Sequence, residues 1–114
     1  MRTFLDGVPP AVRAEIRAIL EAVAAAPPPA FSGGGKWEAM HGTMGGFYEV
    51  RVRGQDRLNH RLFCVLARNA DDLGGPSIIC ICGLSKPVGE PAKPRDYRRA
   101  LRLREEFRRR RTVL

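Results

Sequence analysis

At 114 residues, the chain is long enough for one domain with a single modest core. Its hydrophobic content of 44% and charged content of 28% are ordinary for a soluble globular protein. No stretch reaches the roughly 18 apolar residues that a membrane span needs, and no basic–apolar–small-residue leader is present. These features exclude an integral membrane helix and a cleaved signal peptide, so a cytoplasmic protein is expected.

The net charge of +8 is concentrated in the second half of the chain. Residues 1–50 carry four basic and five acidic side chains, whereas residues 51–114 carry sixteen and seven. Seventeen of the twenty basic residues are arginines, whose planar fork suits bidentate contacts with phosphates. This pattern favours a nucleic-acid partner. A charge that serves solubility, or an acidic protein partner, remains an alternative.

The first part of the chain is predicted to be helical. Residues 4–26 form one helix, or two short helices broken near Gly7–Pro10. Apolar residues recur there at helical spacing, giving one stripe of Val12, Ile16, Ile19, Leu20 and Val23. Pro27–Pro29 should end the helix. The six glycines of residues 30–46 predict a connector without regular structure, although Lys36–Met40 fits the start of an edge strand.

Three strands are predicted next. Apolar and charged side chains alternate in residues 47–53, so that one side of the strand should be buried and the other exposed to solvent. The side chains expected on the wet side are Glu49, Arg51 and Arg53. Residues 60–68 are more apolar and suit a central strand, and residues 77–82 form another interior strand after a polar loop at 69–76. Short turns between strands favour an antiparallel meander.

The end of the chain is predicted to be a loop and a basic helix. Residues 83–94 contain three prolines and two glycines, which is typical of a loop. Residues 95–111 contain nine arginines and form a helix that frays over Arg108–Arg111, with Tyr97 beginning its apolar stripe.

The expected class is therefore α+β, with one domain over residues 1–114. A helical hairpin (1–26) and a connector (27–46) precede a β-meander of three or four strands (47–82), and a loop with the C-terminal helix (83–111) follows it.

The three cysteines all lie in apolar runs and are expected to be small buried residues rather than disulfides or zinc ligands. Cys80 and Cys82 would share one face of a strand, but their spacing with Cys64 is not that of a structural zinc site. No phosphate-binding glycine loop or nucleophile-elbow motif is present. No metal and no cofactor is therefore expected.

Four segments, in this order, carry a resemblance to a known family: FLDGVPPAVRAEIRAIL (4–20), FYEVRVRG (47–54), NHRLFCVL (59–66) and ICICGLSKPVGEPAKPRDYRRALRL (79–103). They resemble the opening helical hairpin, the aromatic-Glu-aliphatic-Arg strand, the Tyr-Arg-hydrophobic strand, and the aliphatic strand with His-Gly-Phe, lysines and final helix of the RelE/ParE toxin superfamily. The likeness is to its phage-related, HigB-like branch, and it spans about residues 4 to 110.

The chain departs from the family pattern at two places. Family members usually begin with a β-strand, for which residues 1–4 leave no room. Cys82 stands where the family has the His before Gly-Phe, and Leu84 stands where the family has the aromatic residue. A cysteine replaces an imidazole as a general base near neutral pH only when its pKa is lowered.

The resemblance implies the toxin of a type II toxin–antitoxin system, a metal-independent endoribonuclease that cuts mRNA on the ribosome and inhibits translation. A 2′-hydroxyl attacks the adjacent phosphorus and leaves a cyclic phosphate and a 5′-hydroxyl. By motif position, the implied catalytic residues are Arg51, Arg61 and Lys86. The implied partners are ribosome-bound mRNA and a cognate antitoxin, commonly a helix-turn-helix protein.

The basic residues expected to bind RNA are Arg53, Lys93, Arg95, Arg98 and Arg99. Alternatives remain open for individual residues, since Arg51 and Arg53 also suit a solvated sheet face and Arg61 also suits an ion pair with Glu49. His60 should point to the face opposite Arg61. For the whole chain the alternatives are a ParE-like inhibitor of DNA gyrase, or a non-catalytic member that binds nucleic acid or a partner.

Overall fold

The fold is an antiparallel sheet with helices on both of its faces. The computed structural model describes residues 2–26, 35–67 and 77–113. Its elements are α1 (Arg2–Gly7), α2 (Pro10–Ala25), β1 (Trp37–Ala39), a 3₁₀ turn (Gly42–Met44), β2 (Phe47–Arg53), β3 (Leu58–Ala67), β4 (Ser77–Pro87) and α3 (Pro94–Val113). The four strands lie side by side in chain order, and each pairs with the next in the antiparallel sense. The predicted α+β class, with a meander and a C-terminal helix, is confirmed.

Helix α2 covers one face of the sheet. It begins at Pro10. A backbone N–H in the first turn of a helix has no partner within the helix, so the N–H that proline lacks is not missed there. The predicted apolar stripe is buried through Val12, Ile16, Ile19 and Val23, with Leu20 partly buried beside it. The stripe packs against side chains of β1, β2 and β3 on this face, which are Trp37, Val50, Val52, Leu62 and Cys64.

Helix α3 covers the other face of the sheet over part of its length. Its Ala100 joins a second buried cluster with Met44, Phe47, Phe63 and Cys82, and Tyr97 and Leu101 pack at the margin. The prediction that β2 has one wet side is therefore wrong at its start, because Phe47 and Glu49 are buried there. Only Arg51 and Arg53, farther along the strand, are exposed.

The strands differ from their predicted limits because pairing, not composition, determines where they end. β4 continues to Pro87, past its predicted end at residue 82, because residues 83–87 pair with the first part of β3. Its proline lies at the end of an edge strand, where no ladder bond is lost. The edge strand suggested by Lys36–Met40 is present as β1. The predicted proline stop at 27–29 and the loop at 69–76 lie outside the described residues.

A β-bulge changes which face the cysteines occupy. Phe63 pairs with Cys82 whereas Cys64 pairs with Cys80, so Ile81 is the extra residue. Cys80 therefore packs with Cys64 against the α2 side, while Cys82 packs on the α3 side. The expectation that Cys80 and Cys82 share a face is wrong, since one inserted residue reverses the alternation.

Both terminal helices differ from expectation in detail. α1 leans on β4 through the Phe4 ring, which lies directly over Gly83. α3 continues through Val113 rather than fraying at Arg108–Arg111, and Arg108 lies 3.8 Å from Glu105 one turn earlier. None of the helices in the described part of the chain has the length and apolar content to cross a membrane.

Candidate nucleic-acid interface

Strands β2, β3 and β4 bring four cations together on the α3 side of the sheet, beside the beginning of α3. We call Arg51, Arg53, Arg61 and Lys86 the cationic cluster. Arg51 lies opposite Arg61, and Arg53 and Lys86 lie on either side of Asn59. Paired residues and residues two apart on a strand share one face, so all four side chains project from the same side. The sequence resemblance grouped Arg51, Arg61 and Lys86, and the sheet places them together.

The buried carboxylate of Glu49 orders two of these arginines. The Nε of Arg51 donates a hydrogen bond to Glu49 Oε1, and Arg61 Nη1 lies 3.8 Å from Glu49 Oε2. This hydrogen bond is the main cause that raises the pKa of Arg51, against a smaller opposing effect of burial. The alternative for Arg61, an ion pair with Glu49, is thus present in the structure. A second carboxylate, that of Glu38, lies 3.5 Å from Arg51 Nη1 at the surface, so Arg51 contacts two carboxylates and shares one of them with Arg61.

Glu49 was not among the residues that the sequence assigned to the site. The signal was its place in the alternation, which puts it on the arginine side of β2, next to Arg51. What the alternation did not reveal is that Glu49 is only 3% exposed. A buried carboxylate needs partners of opposite charge, and Arg51 and Arg61 supply them.

Lys86 belongs to strand β4 and not to the loop after it, which corrects the prediction. The strand holds its ammonium group 3.5 Å from Asp96 in the first turn of α3. Asp96 in turn accepts a hydrogen bond of 2.8 Å from the backbone N–H of Lys93. That bond, followed by the nearby charge of Lys86, lowers the pKa of Asp96. Lys86 is thereby tied to the beginning of α3, and its side chain is only 12% exposed.

The position that the resemblance gives to an imidazole holds a buried thiol. Cys82 is buried against Phe63 and Ala100 on the same face as the cationic cluster. Burial raises the pKa of Cys82, so it remains protonated near neutral pH. Cys82 therefore does not act as a general base. Tyr97 packs 6.0 Å from Phe63 between ring centroids, in the core position predicted for it, and its phenol is close enough to Arg51 to affect the pKa of that arginine.

The cationic cluster opens into a groove of about 470 Å³ along the free edge of β2. β1 ends its pairing opposite Val50, and the backbone N–H of Arg51 donates one further hydrogen bond to the carbonyl of Lys36. Among residues 2–26, 35–67 and 77–113, no strand pairs with this edge of β2 beyond that point. Arg51, Arg53, Asn59 and Arg61 line the groove. An ion pair of 2.8 Å between Lys36 and Glu15 of α2 forms its rim. The groove therefore has three arginines on one side and an ion pair at its rim.

The predicted RNA-binding residues do not all belong to this groove. Arg53 lines it, and Lys93 is exposed in the loop before α3. Arg95, Arg98 and Arg99 are exposed on α3, whose inner side carries Ala100 and Leu101. At 100° per residue, Arg95 and Arg98 point away from the sheet. Arg95 and Arg98 therefore form a surface separate from the cationic cluster, whereas Arg99 lies close enough to Cys82 to affect the pKa of that thiol.

His60 lies on the opposite face of the sheet from Arg61, as predicted, and is 2% exposed. Its Nδ1 is 2.7 Å from Ser85 Oγ, and its Nε2 is 3.1 Å from Asp56 Oδ2. These contacts join β4 to the β2–β3 turn and satisfy both ring nitrogens. Among the residues that the structure describes, no three His, Cys, Asp or Glu side chains are grouped so as to hold a metal ion.

No protein-family model, no curated protein and no solved structure matches this chain. The chemistry of the cationic cluster is therefore what indicates a function.

Proposed function

We propose that the chain is a RelE/HigB-like toxin of a type II toxin–antitoxin system, a cytoplasmic, metal-independent endoribonuclease that cuts mRNA on the ribosome. The observation that carries the proposal is the cationic cluster itself. Two arginines oriented by one buried carboxylate, with a third arginine and a lysine beside them, form a preorganised site for a phosphate that gains negative charge. The order of sequence motifs that resembles the family supports the same conclusion.

The chemistry assigned to each residue follows from its place in the cluster. Arg51 and Arg61 direct the guanidinium N–H groups that Glu49 and Glu38 leave free at the scissile phosphate, and they stabilise the phosphorane that forms when the 2′-hydroxyl attacks and gives its proton to water. Lys86 donates a proton to the 5′-oxygen as its bond to phosphorus breaks and regains one from water, and Arg53 holds a neighbouring phosphate. Since Cys82 stays neutral, the rate enhancement comes mainly from electrostatic stabilisation and positioning.

The partners follow from the same surface. Ribosome-bound mRNA occupies the groove, and Lys93 and the exposed arginines Arg95, Arg98 and Arg99 contact further RNA phosphates. The cognate antitoxin, a helix-turn-helix protein, neutralises the toxin by covering the cationic cluster with an acidic segment.

The test is to mix the purified protein with ribosomes programmed with a defined mRNA and to map the new 5′ ends. Codon-linked cuts are expected with the wild type, and Arg61→Ala should reduce them by a factor of 10² or more, on the order expected for one lost oxyanion-type contact. Arg17→Ala is the matched control, because Arg17 is an exposed arginine of α2 away from the cluster. Wild-type and Arg61→Ala proteins that both leave the mRNA intact would refute the proposal.

The buried thiol of Cys82 favours a second candidate function, a non-catalytic member that binds RNA through the same cluster. In that case the protein binds RNA, Arg61→Ala weakens the binding, and no cuts appear on ribosomes. Growth arrest upon expression of the wild type but not of Arg61→Ala, together with new mRNA ends, would exclude this second candidate.

A further inference from the structure

Ser85, His60 and Asp56 form a chain of contacts on the face of the sheet opposite the cationic cluster, and we call them the Ser85 triad. Ser85 Oγ lies 2.7 Å from His60 Nδ1, and Asp56 Oδ2 lies 3.1 Å from His60 Nε2. A carboxylate only accepts hydrogen bonds, so His60 Nε2 carries the proton that Asp56 accepts. In the neutral ring, Nδ1 then has the free lone pair and accepts the hydrogen of the Ser85 hydroxyl. This is the arrangement in which an imidazole acts as the general base for a serine.

The turn between β2 and β3 holds the carboxylate of the Ser85 triad in place. The backbone N–H of Leu58 donates a hydrogen bond of 3.3 Å to Asp56 Oδ1. A Cβ atom at Gly54 would collide with that same oxygen, so the glycine leaves room for the carboxylate beside the imidazole. His60 is only 2% exposed, whereas Ser85 is exposed at the surface. The base is therefore held rigidly inside the protein, and the hydroxyl is accessible to a small molecule from outside.

The strand register gives the Ser85 triad a backbone donor for negative charge. The N–H of Val88 donates a hydrogen bond to the carbonyl of Arg57, which continues the pairing of β4 with β3. Hydrogen-bonded and non-hydrogen-bonded pairs alternate along an antiparallel ladder, so the pair of Ser85 and His60 is a non-hydrogen-bonded one. The N–H of Ser85 therefore points to the outer edge of β4, with which no strand in residues 2–26, 35–67 and 77–113 pairs. A donor at that place can stabilise an oxyanion formed on a carbon bonded to Ser85 Oγ.

We propose that Ser85 is a nucleophile for carboxylic esters with small acyl groups, with His60 as its general base and Asp56 as the positioning residue. The size limit follows from Phe4, whose ring lies over Gly83, two residues before Ser85 on the same face. Ser85 Oγ attacks the acyl carbon while its proton passes to His60 Nδ1, and that proton then goes to the departing alcohol oxygen. Water hydrolyses the acyl-serine by the same route, which releases the acid and returns a proton to Ser85. The inference does not rest on the proposed function, because the triad and the cationic cluster lie on opposite faces.

The test of the nucleophile treats the purified full chain with p-nitrophenyl acetate. The release of p-nitrophenol is followed over time, and peptide mass spectrometry locates the acetyl group on the protein. We expect a burst of p-nitrophenol and an acetyl group on Ser85, and Ser85→Ala should lose both. Ser77→Ala is the matched control, because Ser77 lies on the same strand outside the triad, and this variant should keep the wild-type burst.

Asp56→Asn tests the positioning role. An amide can donate to His60 Nε2 and so favours the tautomer in which Nδ1 carries the proton, which removes the base from Ser85. We expect the rate constant of the burst to fall by at least about a hundredfold, the lower end for general-base catalysis. The ester concentration that gives the half-maximal rate should stay within about twofold, because Asp56 does not contact the ester. Melting curves check that each variant folds. A folded wild type without a burst, an acetyl group found only on other residues, or an Asp56→Asn protein that reacts at the wild-type rate would overturn the inference.

Discussion

At the scale of single residues, Glu49 has the environment with the largest consequence for the site. Its carboxylate is 3% exposed and lies between Arg51 and Arg61, whereas Glu38 contacts Arg51 from the surface with 47% of its side chain exposed. We expect Glu49→Gln to lower the free energy of unfolding by about 1–3 kcal/mol, because two guanidinium groups then lack a buried counter-charge. Glu38→Gln should change it by less than about 0.5 kcal/mol. Urea denaturation of both variants measures the difference, and equal effects would contradict this account of Glu49.

The three cysteines should differ in reactivity. A hydrogen bond from the Cys64 thiol is the main cause that lowers the pKa of Cys80, which is also partly exposed. The same hydrogen bond, together with burial, raises the pKa of Cys64, and burial raises that of Cys82. Because the thiolate is the reactive form, iodoacetamide near neutral pH should label Cys80 first. Peptide mass spectrometry of a time course identifies the site, and Cys80→Ser should lack the fast phase. Early labelling of Cys82 would contradict the prediction.

At the scale of secondary-structure elements, the docking of α1 on β4 depends on one small residue. A Cβ atom at Gly83 would collide with the ring of Phe4. Gly83→Ala should therefore lower the free energy of unfolding by about 1–3 kcal/mol, the range for overpacking. In a Phe4→Ala background the same substitution should have little effect, so a double-mutant cycle will show coupling. Gly7→Ala is the control, because its Cβ would meet no atom within 4 Å. Additive effects of Phe4→Ala and Gly83→Ala would show that the contact is absent.

The beginning of α3 should make stability depend on pH. The Asp96 carboxylate accepts a hydrogen bond from the backbone N–H of Lys93, the residue just before α3, in the way the acidic residue of a capping box does. This hydrogen bond, followed by the charge of Lys86, lowers the pKa of Asp96. A group whose pKa is lower in the folded state contributes stability above its unfolded value and loses it as the pH falls through the folded value. Asp96→Asn should lower the free energy of unfolding by about 0.5–2 kcal/mol near neutral pH. As the pH falls below roughly 4, the free energies of unfolding of the wild type and the variant should approach each other. Urea titrations at several pH values measure this. A constant difference at all pH values would contradict the ionic cap.

At the scale of the whole molecule, the asymmetric charge should produce salt-dependent RNA binding. Each phosphate contact to a single strand adds about −0.7 to the slope of log K against log salt, so four cations give a slope on the order of −3. Arg53→Gln should make the slope less steep by about 0.7, whereas Arg17→Gln on the distant α2 face should not change it. Anisotropy titrations at increasing KCl concentration measure these slopes. Equal effects of the two variants would mean that the field of the whole molecule, not the cluster, binds RNA.

Features that depend on local periodicity were predictable from the sequence. The apolar stripe of α2, the existence of β2 and β3, the basic helix α3 and the opposite faces of His60 and Arg61 all follow from helical or alternating spacing. The concentration of arginine in the second half of the chain is likewise visible without a structure. These patterns involve residues close in sequence, and a neighbouring element rarely reverses them.

The tertiary structure alone decided the features that depend on strand register. The bulge at Ile81 moves Cys82 to the side of α3, and pairing with β3 extends β4 far enough to carry Lys86 into the sheet. Glu49 is buried beside Arg51 and Arg61, and the same register puts Asn59 between Arg53 and Lys86. The sequence by itself determined that this protein has a basic face on an α+β domain. Which side chains meet on that face was decided by hydrogen-bonded pairing between distant segments, because a shift of one residue changes the face of every side chain beyond it.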